Sequence, residues 1–245
     1  MKKNSILALT FAVTTTFFSC TELKQLGDVV LQPVPGELPL TQSEVVAGLK
    51  EALTKGAEAA TAKASLTDGF YRNPLLYIPF PEEAIKVKNT AESFGFGQQV
   101  EQFERTMNRA AEEASKEAVE VFIGAISSMT ISDGFAILNG GKGAATNYLK
   151  STTRSQLEQR FRPKVKTAIE SVKLTSYWEP LVSTYNTFAP FGGGQQVNPD
   201  LEQYVTTRAI DGLFVHVEAE EDRIRENPQA RVTELLKRVF GTARQ

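Results

Sequence analysis

The sequence predicts an all-α fold, a single-domain multi-helix bundle of about eight helices with one long central helix. Apolar residues recur at intervals of three and four over most of the chain, which is typical of amphipathic helices. No stretch shows the sustained two-residue alternation of a half-buried strand, and helix-start patterns precede several apolar stripes. With 245 residues, 41% of them hydrophobic, the chain is long enough to bury one substantial core.

The first predicted helix covers residues 42–64. Thr41 and Glu44 form a capping-box pattern directly ahead of an apolar stripe. Residues 68–81 are apolar but contain three prolines, which favours an ordered, packed loop over a helix. A short helix over residues 82–93 follows this loop.

The long central helix is predicted over residues 98–129, where one apolar stripe continues without a proline. If unbroken, it would be about 45 Å long. Ser132 and Asp133 are expected to cap a short helix that ends at Asn139, before a pair of glycines. Residues 144–149 are predicted to form another short helix.

The last third of the chain is also predicted to be helical. Thr153 and Gln156 repeat the capping-box pattern, so a new helix is expected to begin there and to bend at Pro163. Asn-Pro-Asp at 198–200 is an N-cap, a first-position proline and a first-turn acid. The remaining predicted helices lie at residues 178–188, 198–226 and 227–240.

The N-terminal pattern is typical of an export signal. Lys2 and Lys3 precede 13 uncharged residues, 6–18, a run too short to cross a bilayer. The following Phe-Phe-Ser-Cys tract resembles a bacterial lipoprotein box, which implies that Cys20 is lipidated and that the mature chain faces the periplasm from a membrane. The alternative is an ordinary secretory signal with an incidental cysteine. Thr21, in place of the Asp that retains inner-membrane lipoproteins, favours the outer membrane.

Four segments follow from these observations. The lipidated cysteine and the helical domain are joined by a stretch that contains three prolines and is expected to act as a tether. The predicted segments are a signal peptide at 1–19, the lipidated cysteine and tether at 20–40, the helical domain at 41–241 and a C-terminal tail at 242–245.

The composition excludes several classes of function. Lys and Arg number 27 against 29 Asp and Glu, so no basic excess favours nucleic acid as a partner. One Cys and one His are too few for a structural zinc site, a disulfide framework or a two-His metal site. We therefore predict no cofactor and no metal ion.

Several sequence words occur together along the chain. They are DGFYRNPLLYIPFP, MNRAAEEA, MTISDGFAILNGGKGAATNYLK, YVTTRAIDGLF and EEDRIRENPQARVTELLKRVFG. In this combination they resemble the bacterial domain-of-unknown-function family numbered 4197, over residues 41–241. The resemblance implies an exported or lipid-anchored helical protein, and it implies no particular activity.

Polar residues in or beside apolar stretches are the candidate ligand-binding residues, because an unpaired carboxylate there is costly. They are Asp68, Asn73, Asp133, Asn139, Tyr204, Asp211, His216, Glu221 and Arg225. They either line a pocket between helices, with Tyr71 and Tyr77 as aromatic walls, or cap helices and lock loops. No residue is predicted to be catalytic.

Three further segments each allow two interpretations. Asn-Gly-Gly-Lys-Gly at 139–143 fits an anion site at a helix start or a helix end with a tight turn. His216 and Glu220 fit an acid/base pair, or a half-buried histidine bonded to a carboxylate or a backbone group. Seven basic and two acidic residues at 150–173 form a basic face, which contacts either anionic headgroups or solvent.

Acidic residues precede basic residues by four positions at several places. The pairs are Glu221/Arg225, Glu101/Arg105, Glu112/Lys116 and Glu234/Arg238. Such pairs usually decorate solvated helix faces, so we predict a role in stability. If Arg225 instead turns inward, it requires a buried carboxylate to offset its desolvation.

The leading functional hypothesis is a membrane-anchored lipoprotein whose helical domain binds an envelope protein or a small-molecule ligand. The alternative is a carboxylate-based hydrolase or metal-assisted enzyme of the cell envelope that uses Asp68, Asp133, Asp211 or Glu221. A scaffold for an envelope assembly is a third reading. The sequence identifies no ligand, partner, reaction or oligomeric state.

Overall fold

A computed structural model describes residues 40–171, 182–183, 185–187, 190, 196, 200–227 and 237–239. Every regular element within these ranges is helical, which confirms the predicted all-α fold class. The signal peptide, Cys20, the tether and the C-terminal tail lie outside the described residues. So does most of the two helices predicted at 178–188 and 227–240.

Seven α-helices and one short 3-10 turn make up the longer described elements. They are α1 (Gln42–Ala64), the 3-10 turn (Glu82–Ala84), α2 (Ile85–Ser93), α3 (Gly97–Ser115), α4 (Ala118–Ser128), α5 (Ile131–Asn139), α6 (Ala144–Glu170) and α7 (Leu201–Glu226). The central packing is made by α1, α3, α6 and α7, with α4 against α1 and α6. Their apolar stripes meet in one continuous core.

The helix starts show which capping patterns the chain uses. Thr41 and Glu44 form the predicted capping box at α1. The predicted cap of α5 was wrong, because Thr130 is the N-cap and Asp133 closes the box from the third helical position. At α7 the N-cap is Asp200, whose side chain accepts a hydrogen bond from the backbone N–H of Gln203 at 2.8 Å.

The long central helix is interrupted once. The backbone N–H groups of Lys116 and Glu117 donate to the carbonyls three residues earlier, so the junction of α3 and α4 is wound more tightly than an α-helix. Both residues keep right-handed helical dihedral angles, and the two segments continue as one rod. From Gly97 to Ser128 this rod is about 46 Å long. It then turns by 106° into α5.

The region after α5 holds one helix where two were predicted. The helix α6 runs without interruption from Ala144 to Glu170 and contains Pro163. Thr153 does not cap a new helix, because its hydroxyl is buried and donates to the carbonyl of Leu149 at 2.6 Å. A Thr hydroxyl can therefore donate to a backbone carbonyl inside a buried helix as well as cap the start of a helix. The capping-box pattern alone does not distinguish these two uses.

The loop that follows α1 covers residues 66–81, two residues more than the predicted 68–81, and it is packed. The apolar side chains of Phe70, Leu76, Ile78 and Phe80 are all buried. Asn108 of α3 holds the loop in place: its Oδ1 accepts from the backbone N–H of Ile78 at 2.8 Å, and its Nδ2 donates to the Ile78 carbonyl at 2.9 Å. The side chain thus satisfies both backbone groups of a buried residue.

Gly212 of α7 provides the seat for the ring of Phe70. A Cβ at position 212 would lie 2.7 Å from Cε1 of Phe70, whose ring is buried. We expect Gly212→Ala to lower the free energy of unfolding by about 1 kcal/mol, because overpacking of about 2 kcal/mol outweighs the gain in helix propensity. Urea denaturation measures the change.

The matched control for this prediction is Gly124→Ala in α4. A Cβ at position 124 meets no atom within 4 Å, so only the helix propensity changes. We expect this variant to gain about 0.5–1 kcal/mol. Equal shifts in the same direction for both variants would contradict the proposed seat for Phe70.

Candidate functional site

Glu221 of α7 caps the start of α6 from 75 residues away along the chain. Gly143, the N-cap of α6, offers no side chain and has a left-handed φ of 78°. Glu221 supplies the missing capping side chain. Its carboxylate accepts hydrogen bonds from the backbone N–H groups of Ala145 and Thr146, at 3.2 and 2.9 Å, and from the Thr146 hydroxyl at 2.7 Å. A carboxylate at this position also faces the positive end of the helix dipole.

Arg225 completes this arrangement from the next turn of α7. Its Nε lies 2.8 Å from Oε1 of Glu221, and its Nη2 donates to the carbonyl of Ile137 at 3.0 Å. The two side chains are only 5% (Glu221) and 19% (Arg225) exposed, so the prediction of a solvated surface pair was wrong. The inward Arg225 does have a buried carboxylate, and that carboxylate is its own i−4 neighbour.

The segment at 139–143 ends one helix and turns into the next. Asn139 is the exposed last residue of α5, and Gly141 and Gly143 both have positive φ. The amides at the start of α6 that would receive an external anion are occupied by Glu221. Lys142 pairs with Asp222 at 2.7 Å, and this hydrogen bond raises the pKa of Lys142. The geometry therefore favours the turn over the anion site.

Asp68, Asn73 and Tyr204 lie together around the loop at 66–81. Asp68 adopts a left-handed φ of 67° and pairs with Arg109 of α3, Oδ1 to Nη2, at 2.6 Å. Asn73 accepts from the backbone N–H of Leu75 at 3.0 Å, and the Tyr204 hydroxyl donates to the carbonyl of Pro79 at 3.0 Å. All three side chains make contacts that lock the loop.

Two acidic residues that the sequence did not single out as binding candidates hold the same region. Glu112 is buried and accepts from the backbone N–H groups of Phe70 and Tyr71, at 3.1 and 3.2 Å, and from Arg109 at 2.6 Å. Glu104 accepts from the Tyr77 hydroxyl at 2.9 Å, and burial of Tyr77, followed by this bond, raises the pKa of that phenol. Their spacing on α3 alone gave no sign that they face a loop.

The four carboxylates considered for a hydrolase take part in four separate interactions. Three pair with arginines, as Asp68–Arg109, Asp211–Arg154 and Glu221–Arg225. The fourth, Asp133, belongs to the cap of α5, where hydrogen bonds from the Thr130 backbone and side chain lower its pKa. Two carboxylates that share one reacting group are a different arrangement, with the pKa of the acid raised. The structure therefore offers this reading no support.

His216 is half-buried on α7, and burial, followed by the charge of Lys63, lowers its pKa. Its Nε2 is enclosed without a hydrogen-bond partner among the described residues, so the predicted bond is not seen on that nitrogen. Glu220 binds Lys63 at 2.6 Å and Arg223 at 2.7 Å instead. Burial alone would raise the pKa of Glu220, but these two hydrogen bonds hold it below its ordinary value.

The remaining charged patterns differ in outcome. Glu101 and Arg105 form the predicted exposed pair. The pairing of Glu112 with Lys116 was wrong, because Glu112 is buried against Arg109 and Lys116 pairs with Glu113. Glu234 lies outside the described residues.

Up to Ser171, where the described part ends, the basic face at 150–173 is largely neutralised by acidic neighbours; Lys173 lies outside the described residues. Its described ion pairs are Arg154–Asp211, Arg154–Glu158, Arg160–Glu117, Arg162–Glu202, Lys164–Glu117 and Lys166–Glu170. Cations that already face carboxylates gain less from anionic headgroups. The charge count along the sequence therefore overstated the basic character of this face.

Neither a metal cluster nor a pocket collects the predicted candidates. Within the described part of the chain, no group of three or more His, Cys, Asp or Glu side chains is placed to hold a metal ion. A cavity of about 370 Å³ opens between α1, α3 and α6, with Arg109, Glu112 and Lys116 in its lining. None of the nine candidate ligand-binding residues belongs to the lining residues described for it.

Exposed apolar side chains are concentrated in one segment of the chain. Among the described residues, seven large hydrophobic side chains are exposed, and five of them fall within residues 66–96. Those five are Leu66, Leu75, Ile85, Phe94 and Phe96. We call them the apolar end. The Phe-Gly-Phe-Gly sequence at 94–97, between two predicted helices, is the pattern from which the exposure of Phe94 and Phe96 could have been predicted.

The apolar end lies far from the start of the domain. The beginning of α1 packs near the other end of the α3–α4 rod, since Lys50 Nζ donates to the carbonyl of Ser127 at 2.9 Å and Val46 contacts Gly134. Phe96 precedes the first residue of the rod. The rod length of about 46 Å therefore separates Phe96 from the point where the chain enters the fold.

None of the described helices taken singly has the length and apolar character of a membrane span, although the bent pair 97–128 and 131–139 passes on length and composition.

Comparison with known proteins gives a family and nothing closer. No curated protein and no solved structure matches the chain. The profile of DUF4197, described as a protein of unknown function, matches residues 39–241. The chain therefore belongs to the DUF4197 family.

Proposed function

We propose that the protein is a membrane-anchored, periplasm-facing lipoprotein whose helical domain serves as an interaction module. The anchor is proposed from the positive start, the 13-residue apolar run and the lipoprotein-box cysteine at position 20. The outer membrane is the favoured location. Lipid on Cys20 accounts for membrane attachment without a spanning helix.

The interaction role is supported by one observation, the concentration of exposed apolar side chains at the apolar end. Leu75 is 81% exposed and Phe94 is 76% exposed, in a domain that buries most of its large apolar residues. Large apolar side chains left exposed within one segment are candidates for contact with proteins or membranes. Tyr71 belongs to the same loop as Leu75 and carries Arg105 over its ring at 5.4 Å from the centroid, and both residue types are enriched where proteins meet. An envelope protein is the proposed partner of Leu75 and its surroundings.

One experiment in cells tests the anchor and the interaction surface together. A photo-crosslinking residue is placed at Leu75 or, as a control, at Val215, which is 43% exposed on α7. Each is expressed in the otherwise unaltered chain and in a chain in which a cleavable secretory signal without a lipoprotein box replaces residues 1–20. We expect membrane fractionation and a lipid-modified Cys20 peptide in the first, and release into the soluble periplasmic fraction in the second.

A discrete crosslinked product is expected at position 75 and not at position 215. Unchanged fractionation of the chain that lacks residues 1–20 would refute the anchor, whatever the crosslinks show. Equal crosslinking at both positions would refute the apolar end as the interaction surface, because exposure alone would then explain the products.

A further inference from the structure

The segment that carries Phe94 and Phe96 is a helical hairpin at the edge of the fold. The helix α2 packs against the first half of α3 and the 3-10 turn. Val87 and Ala91 are its partly buried apolar contacts, and Lys88 bonds Glu104 of α3 at 2.8 Å. The helix α2 therefore packs on α3, and the turn between them, residues 94–96, is exposed to solvent.

The turn of this hairpin is apolar and uncharged. Phe94 is 76% and Phe96 52% exposed, and Gly95 between them has a positive φ of 88°, which allows the sharp reversal. Residues 92–99 are all exposed, and no charged residue occurs between Glu92 and Glu101. Two exposed phenylalanines, separated by one glycine and without flanking charge, are costly to leave in water. Each ring that becomes buried on contact contributes about 1.5–3 kcal/mol to the binding free energy.

We propose that this hairpin tip, residues 93–99, inserts its two phenylalanine rings into the interfacial region of a lipid bilayer. The proposal rests on the proposed function, because the lipid on Cys20 brings the domain to a membrane. An uncharged aromatic tip is suited to the boundary between headgroups and acyl chains, where burial of apolar surface drives binding without anionic attraction.

The chain outside the described domain is long enough for both contacts to reach one bilayer. From Cys20 to Leu40 an extended chain reaches about 66 Å. The tip lies about 46 Å, the length of the rod, from Ser127, which Lys50 of α1 contacts. The lipid and the tip can therefore occupy the same membrane, and such a two-point attachment fixes the orientation that a single lipid anchor leaves free.

The test uses residues 21–245, exported behind a cleavable secretory signal and purified without detergent. Because Cys20 is the only cysteine, Gln98→Cys then introduces a single labelling site beside the tip. Ser132→Cys, exposed at the start of α5, labels the opposite end of the rod as the matched control. Each variant carries an environment-sensitive fluorophore and is mixed with vesicles of phosphatidylethanolamine and phosphatidylglycerol.

We expect a blue shift and intensity gain at position 98 and none at position 132. Phe94→Ser with Phe96→Ser is expected to weaken vesicle binding about 100-fold, tenfold for each ring. Raising the salt concentration tenfold should leave binding unchanged, since the tip has no charge to screen. Both rings are exposed, so the double variant should keep its circular dichroism spectrum and its urea midpoint.

Three results would overturn the proposal. The first is no lipid response at position 98, and the second is an equal response at position 132. The third is a response at position 98 that follows protein concentration without vesicles, which would assign the tip to contact with a second copy. None of these results bears on the anchor, because the chain used lacks Cys20 and the fractionation experiment tests the anchor separately.

Discussion

Glu221→Gln is expected to lower the free energy of unfolding by about 3 kcal/mol. The carboxylate accepts four hydrogen bonds, from the amides of Ala145 and Thr146, the Thr146 hydroxyl and Arg225. The isosteric amide keeps the volume but removes the charge, and its NH₂ group faces donors. Breaking a buried ion pair from one side leaves the other charge uncompensated, which costs about 3–5 kcal/mol when the pair is fully buried. Arg225 retains some exposure, so the lower end applies.

Urea denaturation measures this change, and thermal unfolding should show a melting temperature lower by roughly 6–12 °C. The control is Glu58→Gln, which removes a carboxylate from the exposed pair with Lys55. We expect the control to change stability by less than about 0.5 kcal/mol. A loss at Glu221 no larger than that at Glu58 would show that the start of α6 does not depend on this cap.

Asn108→Ala should have a comparable effect, about 3 kcal/mol. The side chain is fully buried and satisfies both the N–H and the carbonyl of Ile78, which is itself buried. Each buried backbone group left without a partner costs about 1–3 kcal/mol. The loss should also be local, so the amide of Ile78 is expected to exchange with deuterium faster than amides in the middle of α6.

Asn89→Ala is the control for this prediction, because Asn89 is exposed on α2. It should leave both stability and the exchange of Ile78 unchanged. If Asn108→Ala destabilises the protein without faster exchange at Ile78, the clamp on the loop is not the origin of the effect.

The sequence was most informative where local pattern and tertiary contact agree. The start and end of α1 and the packed loop at 66–81 followed from a capping box, a stripe and three prolines. It was misleading where a residue type has two local uses. Thr153 matches a capping pattern yet satisfies its hydroxyl inside α6, and Ser132 precedes Asp133 although Thr130 is the cap.

The candidate residues were found by type but not by role. An acid near apolar sequence is correctly expected to have a partner, and Asp68, Asp211 and Glu221 do. Which partner it has depends on elements 41 to 76 residues away, as for Asp68 with Arg109 and Glu221 with Ala145, and helical spacing contains no such information. For the same reason Glu112 and Asn108 were missed, since the groups they bind are backbone atoms of a distant loop.

The cap that Glu221 provides also sets an order in which the chain can complete its structure. A polypeptide is synthesised from its N-terminus, so Ala145 and Thr146 are made well before Glu221, the residue that satisfies their amides. Until α7 is present, the amides in the first turn of α6 can bond only to water, because Gly143 has no side chain to cap them. We therefore expect the second half of the bundle to fold as one cooperative unit once α7 is present, and a chain cut short before α7 to fray at residue 144.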